Sequence, residues 1–367
     1  MSLHRRDFLK SGLALSVAMG LPRAASAQTT FAPRPGDWRS FAVTSRIEIA
    51  RPDGKTQAWV PLPSVNEADW FQSLGNEWTG NGAASVVQEP NYGAQMLHVV
   101  WADGSDNCLV EVTSRIATRD RAVDLAKPTP PSSLSSPERE LYSRGTDLIP
   151  VDGIVKEASD KIVAGAETDV DKARAIYDWV VDHTFRAAET RGCGIGDIVA
   201  MLRSGNLGGK CADINALYVG LARAAGLPAR DIYGIRVAPS RFGYKSLGAA
   251  SASISKAQHC RSEVYLAGFG WMPVDPADVR KVVLEEPPTR VPLNDAKVVA
   301  ARSALFGAWE GNWLAYNFAH DVALPGSNGP QLAFLMYPQA EIGGERIDCL
   351  NADTFRYAIT AKELTPA

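Results

Sequence analysis

Gly208-Gly-Lys-Cys-Ala-Asp-Ile-Asn-Ala-Leu-Tyr-Val-Gly-Leu-Ala-Arg-Ala-Ala-Gly-Leu-Pro-Ala-Arg230 joins a glycine-rich turn to a helix that opens on Cys211. Ile214, Leu217, Tyr218, Leu221 and Ala225 recur at helical spacing and form one apolar stripe. Gly226 and Pro228 follow in the order that ends a helix. A thiol at a helix N-terminus lies beside unpaired backbone N–H groups and the positive end of the helix dipole, which favours thiolate over thiol. Cys211 is therefore a candidate nucleophile on position alone.

The flanking sequence supplies a frame for it. Asp169 to His183 places Ala173, Ile176, Tyr177, Val180 and Val181 on one helical face behind a Thr168 cap, and a shorter helix is predicted from Gly196 to about Arg203. Beyond the cysteine helix, Asp231–Val237, Ser262–Leu266 and Trp271–Asp275 read as strands. A helix packed on an antiparallel sheet follows, an α+β domain. His259 and Asp275 are 16 residues apart around a Gly268-Phe-Gly270 turn, so an antiparallel return brings them side by side. A histidine there can take the thiol proton, and a carboxylate beyond it can fix the ring and steady the imidazolium. Asp278 is the rival for that carboxylate role. Asn206 is weighed as an oxyanion donor and read instead as a turn residue.

At this point the chain resembles the bacterial transglutaminase-like domain, a papain-like cysteine-nucleophile fold. The resemblance rests on Gly209-Lys-Cys211 with Asp213 and Ala216, Leu221 to Arg230, His259 with Glu263-Val-Tyr265, and Gly270-Trp-Met-Pro-Val-Asp-Pro276. It covers roughly residues 170–285 and implies that Cys211, His259 and Asp275 are a catalytic triad. That family includes protein cross-linkers, peptidases, amidases and members without known activity. Their shared chemistry is attack of the thiolate on an amide carbonyl to give an acyl-thioester, which water or an amine resolves. Hydrolysis of a peptide or amide is the expectation here, with no cofactor and no metal. Cross-linking to an amine and a non-catalytic peptide-binding or cell-envelope-binding module are the alternatives.

Around the core, expected at 151–285, a β-sandwich is expected over 28–125. Phe41–Ile49, Gln57–Leu62, Gln95–Trp101 and Cys108–Ile116 alternate in strand fashion, with hairpin-like turns at Asp53-Gly54 and Asp103-Gly104. A Pro/Ser-rich linker is assigned to 126–150. The last segment, 286–367, is expected to pack on the core, with the aromatic run Ala308–Phe318 as packing and Leu332–Tyr337 as one buried strand.

His4-Arg-Arg-Asp-Phe-Leu-Lys10, the apolar Ser11–Leu21 and Ala25-Ser-Ala27 read as a twin-arginine signal over residues 1–27, cleaved after Ala27. The signal would engage the twin-arginine export machinery and deliver a periplasmic protein with no membrane anchor. Its removal takes Arg5, Arg6, Lys10, Arg23 and Asp7, leaving 34 basic against 40 acidic residues and a net charge of −6, from 38, 41 and −3 in the full chain. Nothing in that balance suggests nucleic acid, and none is expected as a partner. Five cysteines, Cys108, Cys193, Cys211, Cys260 and Cys349, leave four for up to two disulfides if Cys211 stays free. No Cys-x-x-Cys or His-x-x-x-His spacing occurs, which argues against zinc. Gly205 to Cys211 lacks the spacing and the Ser/Thr of a phosphate-binding loop.

Overall fold

The computed structural model describes residues 30–50, 52–129 and 133–365; the expected signal peptide lies outside them. The fold is α+β. Its centre is a four-stranded antiparallel sheet in the order Gly270–Val274, Gln258–Leu266, Ala229–Arg236, Trp313–Asn317. Every residue of Ala229–Arg236 is buried, so both faces of that strand are covered. On one face lies helix Cys211–Ala224, whose fourteen residues are all buried. The apolar stripe predicted burial of one side only. The rest is buried because Ala212, Ala216, Gly220 and Ala222 keep the opposite surface thin enough for neighbouring helices Gly153–Ile162, Asp169–His183 and Ile198–Ser204 to close over it. A Cβ at Gly220 would meet Ile198 and Ile149. Helix Asp169–His183 starts at a capping box in which the Thr168 hydroxyl accepts from Asp171 N–H and Asp171 reaches back to Thr168 N–H. Helix Ile198–Ser204 begins two residues later than the periodicity predicts, because the Asp197 carboxylate caps it by accepting from Ala200 N–H at 2.9 Å.

Two further sheets face each other at the N-terminal end. One runs Tyr357–Leu364, Arg39–Ala50, Asn107–Thr118, Phe71–Gly80; the other runs Glu345–Ile347, Gln339–Ile342, Thr56–Pro61, Gln95–Trp101, Ala83–Gln88. Ile47, Val110 and Val112 from the first meet Val60, Leu97 and Val99 from the second. The C-terminal segment therefore differs from expectation. Trp313–Asn317 joins the core sheet, but Gln339–Ile342 pairs with Thr56–Pro61 and Tyr357–Leu364 pairs with Arg39–Ala50 along eight residues. Their alternating pattern could not say which distant sheet they complete. The turns at Gly54 and Gly104, with φ of 101° and 78°, carry the chain from one sheet to the other rather than closing hairpins. Phe71–Gly80 and Ala83–Gln88 are added strands whose residues are mostly exposed or half-buried, which is why no clean alternation marks them. The assigned linker holds helix Ser136–Ser143, capped by Ser135 and anchored through buried Tyr142. Leu332–Phe334 alone of 332–337 is strand, and it is half-buried.

The two halves meet through aromatic residues. Trp70 of the sandwich side packs against Trp309 at 5.3 Å and Trp313 at 6.4 Å between ring centroids. Glu263, fully buried, pairs with Arg230 at 2.5 Å and with Arg121 from the sandwich side. Arg230 also lies over Trp271 and Phe318. These residues fasten the halves together. No helix among the described residues is long and apolar enough to cross a membrane.

Candidate active site

Cys211 is the first residue of its helix, so its own N–H has no acceptor within the helix. The turn before it is held by Asp213, whose carboxylate accepts from Lys210 N–H at 2.9 Å and from Ile195 and Gly196 N–H at 3.0 Å each. That one side chain ties the helix start to the loop carrying Cys193. Gly194 has a φ of 90°, and a Cβ there or at Gly209 would collide with Asp213. Ala212 N–H completes the junction by donating to Cys193 O at 2.9 Å. Asn206 is exposed in the preceding turn, where its side-chain oxygen accepts from Gly208 N–H.

His259 lies on the strand beneath, opposite Gly234 in register. Trp313 Nε1–H donates to His259 O at 3.0 Å, an approach that Gly234 permits because a Cβ there would strike the Trp313 ring. Asp275 ends the neighbouring strand and caps helix Pro276–Glu285, its Oδ1 accepting from Asp278 N–H at 3.0 Å. His259 Nε2 is 2.8 Å from Asp275 Oδ2 and 3.3 Å from Asp278 Oδ1. The structure thus brings together all three residues singled out in the sequence, and the rival Asp278 with them. With Nε2 engaged by carboxylate, Nδ1 is the ring nitrogen left for the Cys211 thiol, which lines the same cavity and whose proton affinity His259 lowers.

Four residues to which the sequence assigned no part in the site complete the constellation. Asn215, one turn along from Cys211 on the same helix face, donates to Cys260 O at 2.9 Å and to Asp275 Oδ1 at 3.4 Å, and accepts from Ala277 N–H. Arg236, 2% exposed, donates to Asp278 Oδ1 at 2.5 Å and to Leu247 O at 2.6 Å. Cys193 and Cys260 act on the Cys211 thiol, although Cys193 Sγ donates to Gln258 O at 3.5 Å and Cys260 Sγ to Met336 Sδ at 3.9 Å. The i+4 spacing of Asn215 was a usable signal; Arg236 and Cys193 come from other segments and carried none. All five cysteines are free thiols in this structure, so neither of the two bridges open to the other four is formed.

Charge is arranged to separate along this line. The Cys211 thiol is pushed well below the usual thiol range by hydrogen bonds from Cys193 and Cys260, which outweigh burial, and then by His259. Burial alone would lower His259, but Asp278 and Asp275 raise it to about 9 against the repulsion of Arg236. Burial and the nearby Asp278 charge raise Asp275, whereas Asp278, also buried, is held well below the carboxylate range by Arg236 and then His259. A thiolate–imidazolium pair is the favoured state. His259, Asp275 and Asp278 each offer a donor atom within 4.8 Å of the others, a spacing that would suit a cation. The positive charge they already face is the Arg236 guanidinium, with Arg261 3.8 Å from Asp275.

Residues 156–276 match the transglutaminase-like superfamily. The whole chain is 37% identical, over 376 residues, to an uncharacterized protein of Haemophilus influenzae, an alignment covering 97% of this chain and 100% of that one. It belongs to the family of that Haemophilus protein, with a transglutaminase-like domain at its core. The transglutaminase-like match takes in Cys211, His259 and Asp275 and ends two residues before Asp278. Among solved structures, a candidate cysteine protease from Cytophaga hutchinsonii superposes with a TM-score of 0.50 at 14% identity, over 89% of this chain and 99% of that one. The shared fold therefore extends beyond the transglutaminase-like core into the sandwich. The periplasmic domain of TgpA from Pseudomonas aeruginosa matches 66% of this chain and 88% of its own with a TM-score of 0.34 and 15% identity.

Proposed function

We propose that this protein is an exported, cysteine-dependent amide hydrolase in which Cys211 is the nucleophile, His259 the acid–base and Asp275 the orienting carboxylate. The observation that carries the reading is the buried line from Cys211 through His259 to Asp275, opening on a cavity of about 730 Å³ that Cys211 and His259 both line. The Cys211 thiolate adds to the amide carbonyl carbon, and the tetrahedral oxyanion forms beside the unpaired Cys211 N–H. As the C–N bond breaks, imidazolium His259 gives its proton to the departing amine, leaving an acyl-thioester and neutral imidazole. Imidazole then takes a proton from water as the water oxygen attacks the thioester, and the carboxylic acid leaves as the C–S bond breaks. Asp275 holds the ring through Nε2, so Nδ1 carries the proton both ways. The substrate is a peptide or related amide met in the periplasm.

Two measurements test this. Alkylation of the purified protein by iodoacetamide across pH should proceed well below pH 7 at Cys211; an ordinary thiol profile there would sink the nucleophile assignment. Peptide turnover should be lost in Cys211→Ala and His259→Ala and reduced but measurable in Asp275→Ala, because the three act as one unit. Running the assay with and without a primary amine separates hydrolysis from acyl transfer.

A further inference from the structure

The cavity above Cys211 has a sign. Seven arginine or lysine side chains line it and no aspartate or glutamate does, in a chain with 41 acidic and 38 basic residues. Some of these cations are already answered. Arg236 is held by Asp278, Arg191 pairs with Asp348, and Arg186 shares Glu285 with Lys281, whose ammonium is 3.7 Å from that carboxylate. Lys210, Lys256 and Arg356 have no carboxylate partner among the described residues. They converge from three separate segments: the residue before Cys211, the approach to the His259 strand, and the C-terminal stretch entering Tyr357–Leu364. Unanswered cations around a concave, partly apolar wall focus field into the cleft. Leu350, Phe355 and Tyr357 supply apolar lining beside them. Lys281 is pushed down by burial and by Arg236, so an anion in the cavity would relieve it.

We propose that the substrate is an acidic peptide whose carboxylates, flanking the scissile amide, are bound by Lys210, Lys256 and Arg356. This rests on the hydrolase reading for the word substrate, but the binding it describes does not need turnover. Lys210, adjacent to the nucleophile, takes a carboxylate next to the reacting carbonyl. Lys256 and Arg356, both exposed at the rim, take carboxylates further along the chain. A free acidic protein segment and a cell-wall peptide stem share this chemistry.

The test is binding to the full-length Cys211→Ala protein, which keeps the cavity and cannot turn over. A pooled random hexapeptide library is applied and the bound fraction sequenced by mass spectrometry. Enrichment of Asp- and Glu-containing members is expected, with affinity at least about tenfold above matched Asn/Gln peptides at low salt and shrinking as salt rises. Lys256→Gln and Arg356→Gln, both at exposed positions, should each remove part of that preference while leaving neutral-peptide binding unchanged. A bound fraction with no charge bias, or a bias untouched by either substitution, overturns the proposal. Competition by an all-L acidic peptide or by released cell-wall stems tells which source fits better, and displacement by either supports the acidic site. Loss of the acidic preference with normal Cys211 alkylation leaves the hydrolase reading standing; ordinary alkylation with the preference intact does the reverse.

Discussion

At Cys211 burial and hydrogen bonding compete for the proton. Burial favours the neutral thiol, yet donors from Cys193 and Cys260 together with the imidazole of His259 hold the thiolate. Replacing Cys193 by Ala removes the foremost of these influences, so the alkylation profile of Cys211 should move to higher pH; an unchanged profile would show that Cys193 does not set it. The other end of the line fixes the alkaline limit. Because His259 titrates near 9, turnover should decline as pH rises through about that value, read as the upper limb of kcat/KM against pH. The same group contributes to stability. Its raised value means that its contribution is full below the unfolded histidine value of about 6.5 and is lost as pH climbs through about 9. Asp278, depressed by Arg236, contributes in the opposite sense: its share is present above the unfolded carboxylate value of about 3.9 and is lost as pH falls through its own lower one. Urea midpoints at pH 7 and pH 10 should therefore differ more in the native sequence than in His259→Asn. Cys211, His259 and Asp275 were legible because helix capping and strand return are local rules. Asp278 was legible only as a rival, since nothing local says that its carboxylate turns toward His259 and is neutralised by an arginine 42 residues away.

The cysteine helix shows what element-level reading reaches. Its start, its end and its apolar stripe follow from sequence, while its complete burial follows from small residues that became meaningful only once three other helices lay against them. Leu217→Ala, at a fully buried position, should cost about 2–5 kcal/mol in denaturant unfolding. Arg236→Ala should cost about 3–5 kcal/mol, since Asp278 would be left buried without its cation. If Arg236→Ala unfolds no more easily than the parent, the pair does not stabilise the fold. Gly194→Ala combines an unfavourable φ with a clash against Asp213, so it should loosen the Cys193 loop. Iodoacetamide reactivity of Cys193, which is buried here, should rise in that variant.

Across the whole molecule, the division into a β-rich front and an α+β centre was legible from the change of hydrophobic period. The partners of the last strands were not, because alternation marks a strand without naming its neighbour. Both sheets of the sandwich draw on residues beyond 338, and the core sheet draws on Trp313–Asn317. Deleting residues 357–367 should expose the edge of Arg39–Ala50 and produce a chain that aggregates, as light scattering would record. Pairing of Ser40 with Leu364 also has a temporal side. A ribosome releases the first of these residues more than three hundred positions before the second, so the edge of Arg39–Ala50 has no partner strand until the nucleophile-bearing half has been made. Any check that accepts only finished folds would in effect be inspecting the final strand.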